Sequence, residues 1–195
     1  MNFLAHAYLS FGDPALLVGN MIGDFVKGNK YMAYPLAVQE GIRLHRAIDS
    51  FTDQHPATRH ARSFFKKDYG LYSGAFVDVV YDHFLCNDED CFSNAALEAF
   101  SLQVYTILQV HYEQLPPVFQ QMLYYMQSQN WLYGYRQREG VFKAFGGIVR
   151  RAKYIDSVAA AFEDFEQYYA DLRQCYRDFF PELEQFVRDR PPLRS

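Results

Sequence analysis

Imidazole and carboxylate groups occur in this chain where an ordinary soluble helix would carry aliphatic side chains. His6 stands in Phe-Leu-Ala-His-Ala-Tyr-Leu, Asp24 in Met-Ile-Gly-Asp-Phe-Val, and Asp78, Asp82 and His83 interrupt the apolar run 72–86. A carboxylate among apolar neighbours loses its hydration, a cost that must be offset by a partner or a metal. His45 and Asp49 are four residues apart, Asp53 follows four later, and Asp78 and Asp82 repeat the spacing. On a helix that interval places side chains one turn apart on one face, so each pair can converge on a common centre. A hydrolytic metal centre needs this mixture on rigid helices, with coordination positions left open for water and substrate. The donor types suit Mn, Fe or Zn, and a carboxylate-rich site also admits Mg.

Each feature has a plainer reading. His6 alone could be a hydrogen-bonded core histidine, and His45 with Asp49 an ordinary surface pair. Asp82 and His83 resist that treatment, because both need partners inside an apolar helix. Asp53, in Asp53-Gln54-His55, reads as a structural residue at a helix end, and His60 and His111 as solvent-facing. Cys86 and Cys91 bracket the polar loop 87–90 at a spacing too wide for a thiolate metal pair. Gly146-Gly147 before Arg150-Arg151 reads as a helix junction, and Tyr124, Tyr125, Trp131, Tyr133 and Tyr135 as core aromatics. Arg59, Arg62 and Lys66, spaced three and four apart with Lys67 beside them, share a helix face that is either solvated or a dock for an acidic partner. No nucleophile elbow, phosphate-binding P-loop or dinucleotide fingerprint is present.

Helical punctuation dominates the elements that must position these groups. Asp13-Pro14 supplies an N-cap and a first-turn proline for a helix expected to end near Gly28. Pro35 opens a second, with Leu36, Val38, Ile42, Ile48 and Phe51 at roughly helical intervals, and Pro56 a third. Residues 72–86, 93–113, 117–133, 138–151 and 153–178 read as further helices, with a short one after Pro181. No stretch alternates strictly between hairpin signals, so no sheet is expected. The fold class is therefore all-α, a helical bundle forming a single domain over residues 1–195.

Composition bounds the function. Half of the 195 residues are hydrophobic, with 18 Phe and 16 Tyr, which excludes a disordered chain. A net charge of −4 and a pI near 5.8 argue against nucleic-acid binding. Residues 69–135 contain no Lys or Arg, so an acidic substrate would approach the N-terminal third, where Lys27, Lys30, Arg43 and Arg46 lie. Three cysteines without scaffold spacing suit a reducing compartment, and no apolar run approaches the ~18 residues of a membrane span. A cytoplasmic protein without membrane association is expected.

The segments carrying these groups resemble the bacterial acyl carrier protein phosphodiesterase family, also called acyl carrier protein hydrolase. The likeness runs through Met1-Asn2-Phe3-Leu4-Ala5-His6, Gly19-Asn20, Asp24-Phe25-Val26-Lys27-Gly28, Gly41-Ile42, His45-Arg46, Ile48-Asp49, Thr52-Asp53 and Tyr81-Asp82-His83-Phe84-Leu85. It is strongest over residues 1–86 and thins to Trp131-Leu132, Tyr135-Arg136 and the arginine pair. The chain departs from the family pattern after Leu85, where Cys86–Phe92 replaces a continuation towards Trp.

The resemblance implies a helical fold distantly similar to HD-domain phosphohydrolases and a divalent metal, manganese favoured. The reaction it implies is hydrolysis of the phosphodiester joining 4'-phosphopantetheine to a serine of holo acyl carrier protein, yielding the apo form. On that basis His6, Asp24, His45 and Asp82 are expected to hold the metal. Asp24 doubles as a catalytic group, and Asp49 or His83 orients water or acts as general base. Arg46 is expected near the phosphate, and Arg59, Arg62 and Lys66 against the acidic carrier protein. Two alternatives stand beside this: an HD-like phosphohydrolase acting on a nucleotide or other small phosphoester, and a non-catalytic helical binding protein.

Overall fold

The computed structural model describes residues 1–152 and 157–190, the side chains of 66–68 excepted. Its helices, in chain order, are α1 (Phe3–Tyr8), α2 (Pro14–Ile22), α3 (Leu36–Gln54), α4 (Pro56–Tyr69), α5 (Ser73–Cys86), α6 (Asn94–Val110), α7 (Pro117–Ser128), α8 (Trp131–Gly134), α9 (Arg138–Arg151), α10 (Ala159–Gln167) and α11 (Tyr169–Arg188). Among the described residues no strand forms, and the all-α expectation is borne out. None of these helices is long and apolar enough to cross a membrane.

The caps follow the local chemistry. Asp13 accepts the Leu16 N–H at 2.9 Å ahead of Pro14, which starts α2 with a residue that has no N–H to satisfy. Ser93 caps α6 in the same way through the Ala96 N–H. α2 stops at Ile22, earlier than expected, and the chain continues in two 3-10 turns, Gly23–Phe25 and Gly28–Ala33. The helix expected over 117–133 is broken at Asn130, whose left-handed φ of 45° separates α7 from α8. Pro181 opens no new helix. It lies inside α11, whose buried stripe Leu172, Cys175, Tyr176, Phe179, Leu183 and Val187 keeps helical register across it. That packing outweighs the ~3 kcal/mol an internal proline costs. The start of the helix expected at 153 lies outside the described residues.

α5 is the buried centre, packed against α1, α4, α9 and α11. Twelve of its residues are buried, which explains its nearly unbroken apolar sequence. Around it the Phe76 ring lies 4.8 Å from Phe145 and 5.7 Å from Phe65. One continuous core runs from Met1 to Val187. Of the aromatics expected in it, Tyr135 is buried, whereas Tyr124 and Tyr125 are exposed on α7.

α2 and α3 cross in close contact. A Cβ on Gly19 would lie 2.1 Å from the Val38 carbonyl oxygen, and one on Gly41 would lie 2.2 Å from that of Leu16. Glycine at both positions lets the two backbones touch. That approach sets the functional region described next.

Candidate metal centre

α3 carries His45 and Asp49 on one face, as their spacing requires. α1 brings His6 alongside: its ring stacks on that of His45 with centroids 4.0 Å apart and planes at 17°. Asp49 spans the two. Its Oδ1 lies 3.3 Å from His6 Nε2 and its Oδ2 lies 3.1 Å from His45 Nε2. Asp24, in the 3-10 turn after α2, places Oδ1 3.1 Å from the same His45 nitrogen. The α-amine of Met1 lies 3.2 Å from Asp49 and 3.3 Å from Asp78.

α1 has only six residues, and its N-cap Asn2 makes no side-chain cap. Its orphan N–H groups are satisfied from α5 instead. Asp82 accepts from Leu4 N at 2.8 Å and from Ala5 N at 3.0 Å. A buried carboxylate at a helix N-terminus meets both the unpaired donors and the positive end of the dipole. Burial pushes the Asp82 pKa up to about 7 against the pull of those two bonds. By fixing α1, Asp82 fixes His6.

His45 is seated by close packing. A Cβ on Gly23 would lie 2.2 Å from Cγ of its ring, so only glycine leaves the ring this position. Its Nδ1 donates to the Asn20 carbonyl oxygen at 2.7 Å. Burial opposes charge on this ring, but the bonds to Asp24 and Asp49 outweigh it and raise the pKa to about 9. His6 moves the other way, lowered to about 4 by burial and by the neighbouring His45. The hydrogen bond to His45 holds Asp24 below the usual carboxylate range. Asp49 is also held low: burial would raise it, but the Met1 ammonium and the two imidazoles prevail.

The residues fit a divalent ion. His6, His45 and Asp49 offer ligand atoms that all lie within 4.8 Å of one another. His6 Nε2 is buried and faces only the Asp49 carboxylate, at 3.3 Å, so an ion between them would be coordinated from both sides. Two imidazoles and a carboxylate are the donor set of open, hydrolytic sites. Asp24, 71% exposed at the side chain, borders this group on its solvent side.

The remaining expected residues sit elsewhere. Asp82 does not join the group, since both its oxygens serve α1. His83, one residue along and about 100° round the helix, faces away: its Nδ1 donates to the Tyr135 carbonyl oxygen at 2.8 Å and its Nε2 lies 3.0 Å from the Tyr169 hydroxyl. Arg46 is engaged by backbone and an aromatic ring. It donates to the Val26 and Gly28 carbonyl oxygens, both at 2.9 Å, and lies over the Tyr31 ring, so it braces the segment that follows Asp24. Arg62 pairs with Asp53 at 2.5 Å and packs against Gly74. Arg59 is exposed on α4, and the Lys66 side chain lies outside the described residues. Three residues of the site, Asn20, Gly23 and the Met1 amine, were not assigned a role from sequence. Asn20 had a signal, being a polar residue in the apolar stretch Leu-Val-Gly-Asn-Met-Ile.

An all-helical protein with a buried cluster of two histidines and an aspartate, open on one side, is of the class that can hold a catalytic divalent ion. The chain matches the family described as acyl carrier protein phosphodiesterase over residues 1–183, and it belongs to that family. It is 34% identical to the acyl carrier protein phosphodiesterase of Photorhabdus laumondii over 191 residues, covering 97% of this chain and 96% of that protein. It is 33% identical to the enzyme of that name from Yersinia pestis over 184 residues, covering 94% and 95%. The corresponding figures for Serratia proteamaculans are 31% over 191 residues, 97% and 99%. No solved structure matches the chain significantly.

Proposed function

We propose that this protein hydrolyses the phosphodiester between 4'-phosphopantetheine and a serine of holo acyl carrier protein, releasing the apo carrier protein and 4'-phosphopantetheine. Family membership over nearly the whole chain supports the substrate, and the convergence of His6, His45 and Asp49 ligand atoms within 4.8 Å supports the metal. His6, His45 and Asp49 would hold the ion, with Asp24 at the open edge. The imidazole-rich set favours Mn, Fe or Zn over Mg, and manganese is the ion the family resemblance implies. A bound ion would supply Lewis acidity toward the phosphoryl oxygens and a more acidic water.

The protein groups have separate tasks. Asp24, ionised and solvent-facing, is placed to orient the attacking water and take its proton. Asp49 fixes the spacing of the two imidazoles. Lys27 and Lys30 are exposed on the segment after Asp24, and with Arg59 they offer an acidic carrier a positive approach to the open side. The three cysteines are free, as a reducing cytoplasm would keep them. The continuous core supports a single domain over residues 1–195, and an HD-domain-like architecture belongs to the same proposal.

The test is conversion of holo to apo carrier protein, followed by mass spectrometry, with manganese and with chelator. A panel of nucleotides and small phosphoesters runs in parallel. Manganese-dependent loss of the prosthetic group, abolished by Asp49→Asn with the fold intact, is the expected result. Turnover of the small esters alone would replace the substrate assignment. The Michaelis constant for the carrier should rise with salt, because the attraction is screened over about 10 Å at 0.1 M.

A further inference from the structure

Asn20 touches both histidines of the cluster through two different groups. It is fully buried on α2. Its side-chain Oδ1 lies 2.8 Å from His6 Nδ1, and its main-chain carbonyl oxygen lies 2.7 Å from His45 Nδ1. Its Nδ2 donates to the His6 carbonyl oxygen at 2.6 Å and to Ser10 Oγ at 3.2 Å. The Ser10 hydroxyl gives its own hydrogen to the His6 carbonyl oxygen at 2.9 Å, so toward Asn20 it can only accept.

These bonds leave no freedom in the direction of the protons. A flipped amide would press Oδ1 against the His6 carbonyl oxygen, two acceptors at hydrogen-bond distance. The nitrogen must therefore face His6 O and Ser10, and Oδ1 must face His6 Nδ1. An amide oxygen only accepts, so Nδ1 of His6 carries the hydrogen and the lone pair is left on Nε2. The peptide oxygen of Asn20 likewise keeps a hydrogen on Nδ1 of His45. Nε2 of each ring then faces the carboxylate of Asp49, where an ion would sit.

We propose that Asn20 is the positioning residue of the metal centre, setting the tautomer of His6 with its side chain and that of His45 with its backbone. The inference rests on the metal reading of the cluster, and it divides the two effects. A side-chain substitution at position 20 disturbs His6 and leaves His45 held. Fixing the unligated nitrogen of a ligand histidine typically accounts for ~10–100-fold in metal affinity.

The experiment uses full-length protein labelled with 15N histidine, without metal or carrier protein. Long-range proton–nitrogen spectra at neutral pH should show His6 neutral with hydrogen on Nδ1. That spectrum needs no variant, and hydrogen on Nε2 would overturn the proposal. In Asn20→Leu the His6 tautomer should change while His45 keeps its hydrogen on Nδ1. Zinc affinity by calorimetry should fall about 10–100-fold. Asn20→Asp keeps an acceptor for Nδ1 but loses the donor to the His6 carbonyl oxygen, so it should keep the hydrogen on Nδ1 while lowering the unfolding midpoint, a split that a purely structural role would not give. An unaltered tautomer and zinc affinity in Asn20→Leu would also overturn it. Failure of the wild type to bind zinc or manganese would instead remove the metal reading and leave the tautomer result standing.

Discussion

Loading the cluster with a divalent ion should release one proton per chain at pH 7, and the proton should come from His45. Hydrogen bonds to Asp24 and Asp49 overcome burial and hold that ring at a pKa of about 9. Its Nε2 is therefore protonated in the metal-free protein, and an ion must displace that hydrogen. His6, lowered to about 4 by burial and by His45, is already neutral, and Asp24 and Asp49 are already ionised. The sign follows: a raised pKa keeps the proton bound below it, so competition with the ion is strongest at low pH and fades towards pH 9. At pH 7 the neutral ring is populated at roughly one part in a hundred, which weakens the ion by ~2.7 kcal/mol. Affinity should thus climb about tenfold per pH unit between roughly pH 6.5 and 8.5. Calorimetric titration in two buffers of different ionisation enthalpy counts the proton directly, and repeating it across that range gives the slope. A proton count near zero, or an affinity flat with pH, would refute the placement of His45 between two carboxylates as the source.

Other substitutions separate roles that the sequence alone ran together. Asp82→Ala strands the buried N–H groups of Leu4 and Ala5 and should cost ~2–6 kcal/mol in urea unfolding. The folded fraction should bind zinc more weakly, because α1 no longer holds His6 in place, whereas loss of zinc with an unchanged midpoint would make Asp82 a ligand. Gly23→Ala forces the His45 ring aside and should weaken zinc by at least about tenfold with the far-UV spectrum unchanged; retained affinity would show that the ring has room. Arg46→Ala frees the Val26 and Gly28 carbonyl oxygens and should speed hydrogen exchange over residues 26–34, with a stability loss of ~1–3 kcal/mol. Arg46→Lys, lacking the planar fork, should not restore it.

How far the sequence led depended on one question, whether a buried polar group finds an ion or a peptide. The four-residue spacing of His45 and Asp49 and the apolar setting of His6 drew attention to the three residues that the structure brings together. The same reasoning drew Asp82 and His83 into that group, because a carboxylate in an apolar helix needs a partner and nothing local says which. Their partners are the α1 N–H groups, 78 and 77 residues away in sequence, and the Tyr135 carbonyl and Tyr169 hydroxyl. Charge marks Arg46 and Arg62 as candidates for an anion, and the structure adds partners that the sequence does not name: backbone carbonyls for Arg46 and Asp53 for Arg62. Asn20 carries a weaker signal in the sequence, since an amide has no formal charge and needs a partner less conspicuously than a buried carboxylate. The helices themselves were legible from Pro and Asp punctuation except where packing overrode it, as at Pro181.

Cations are already present among the carboxylates of the cluster. Asp24 and Asp49 face the proton on His45, and Asp49 and Asp78 face the Met1 ammonium. Without those charges, two ionised carboxylates converging on one ring nitrogen would repel, and the α3 face would not hold the arrangement. A divalent ion would replace the His45 proton on the same ligands rather than assemble them. The alignment of those ligands comes from outside their own helix. The α2–α3 contact at Gly19 and Gly41 brings the Asn20 backbone to His45, and the Asp82 cap delivers α1 with His6. Residues with no place in the coordination shell therefore determine whether its two imidazoles meet.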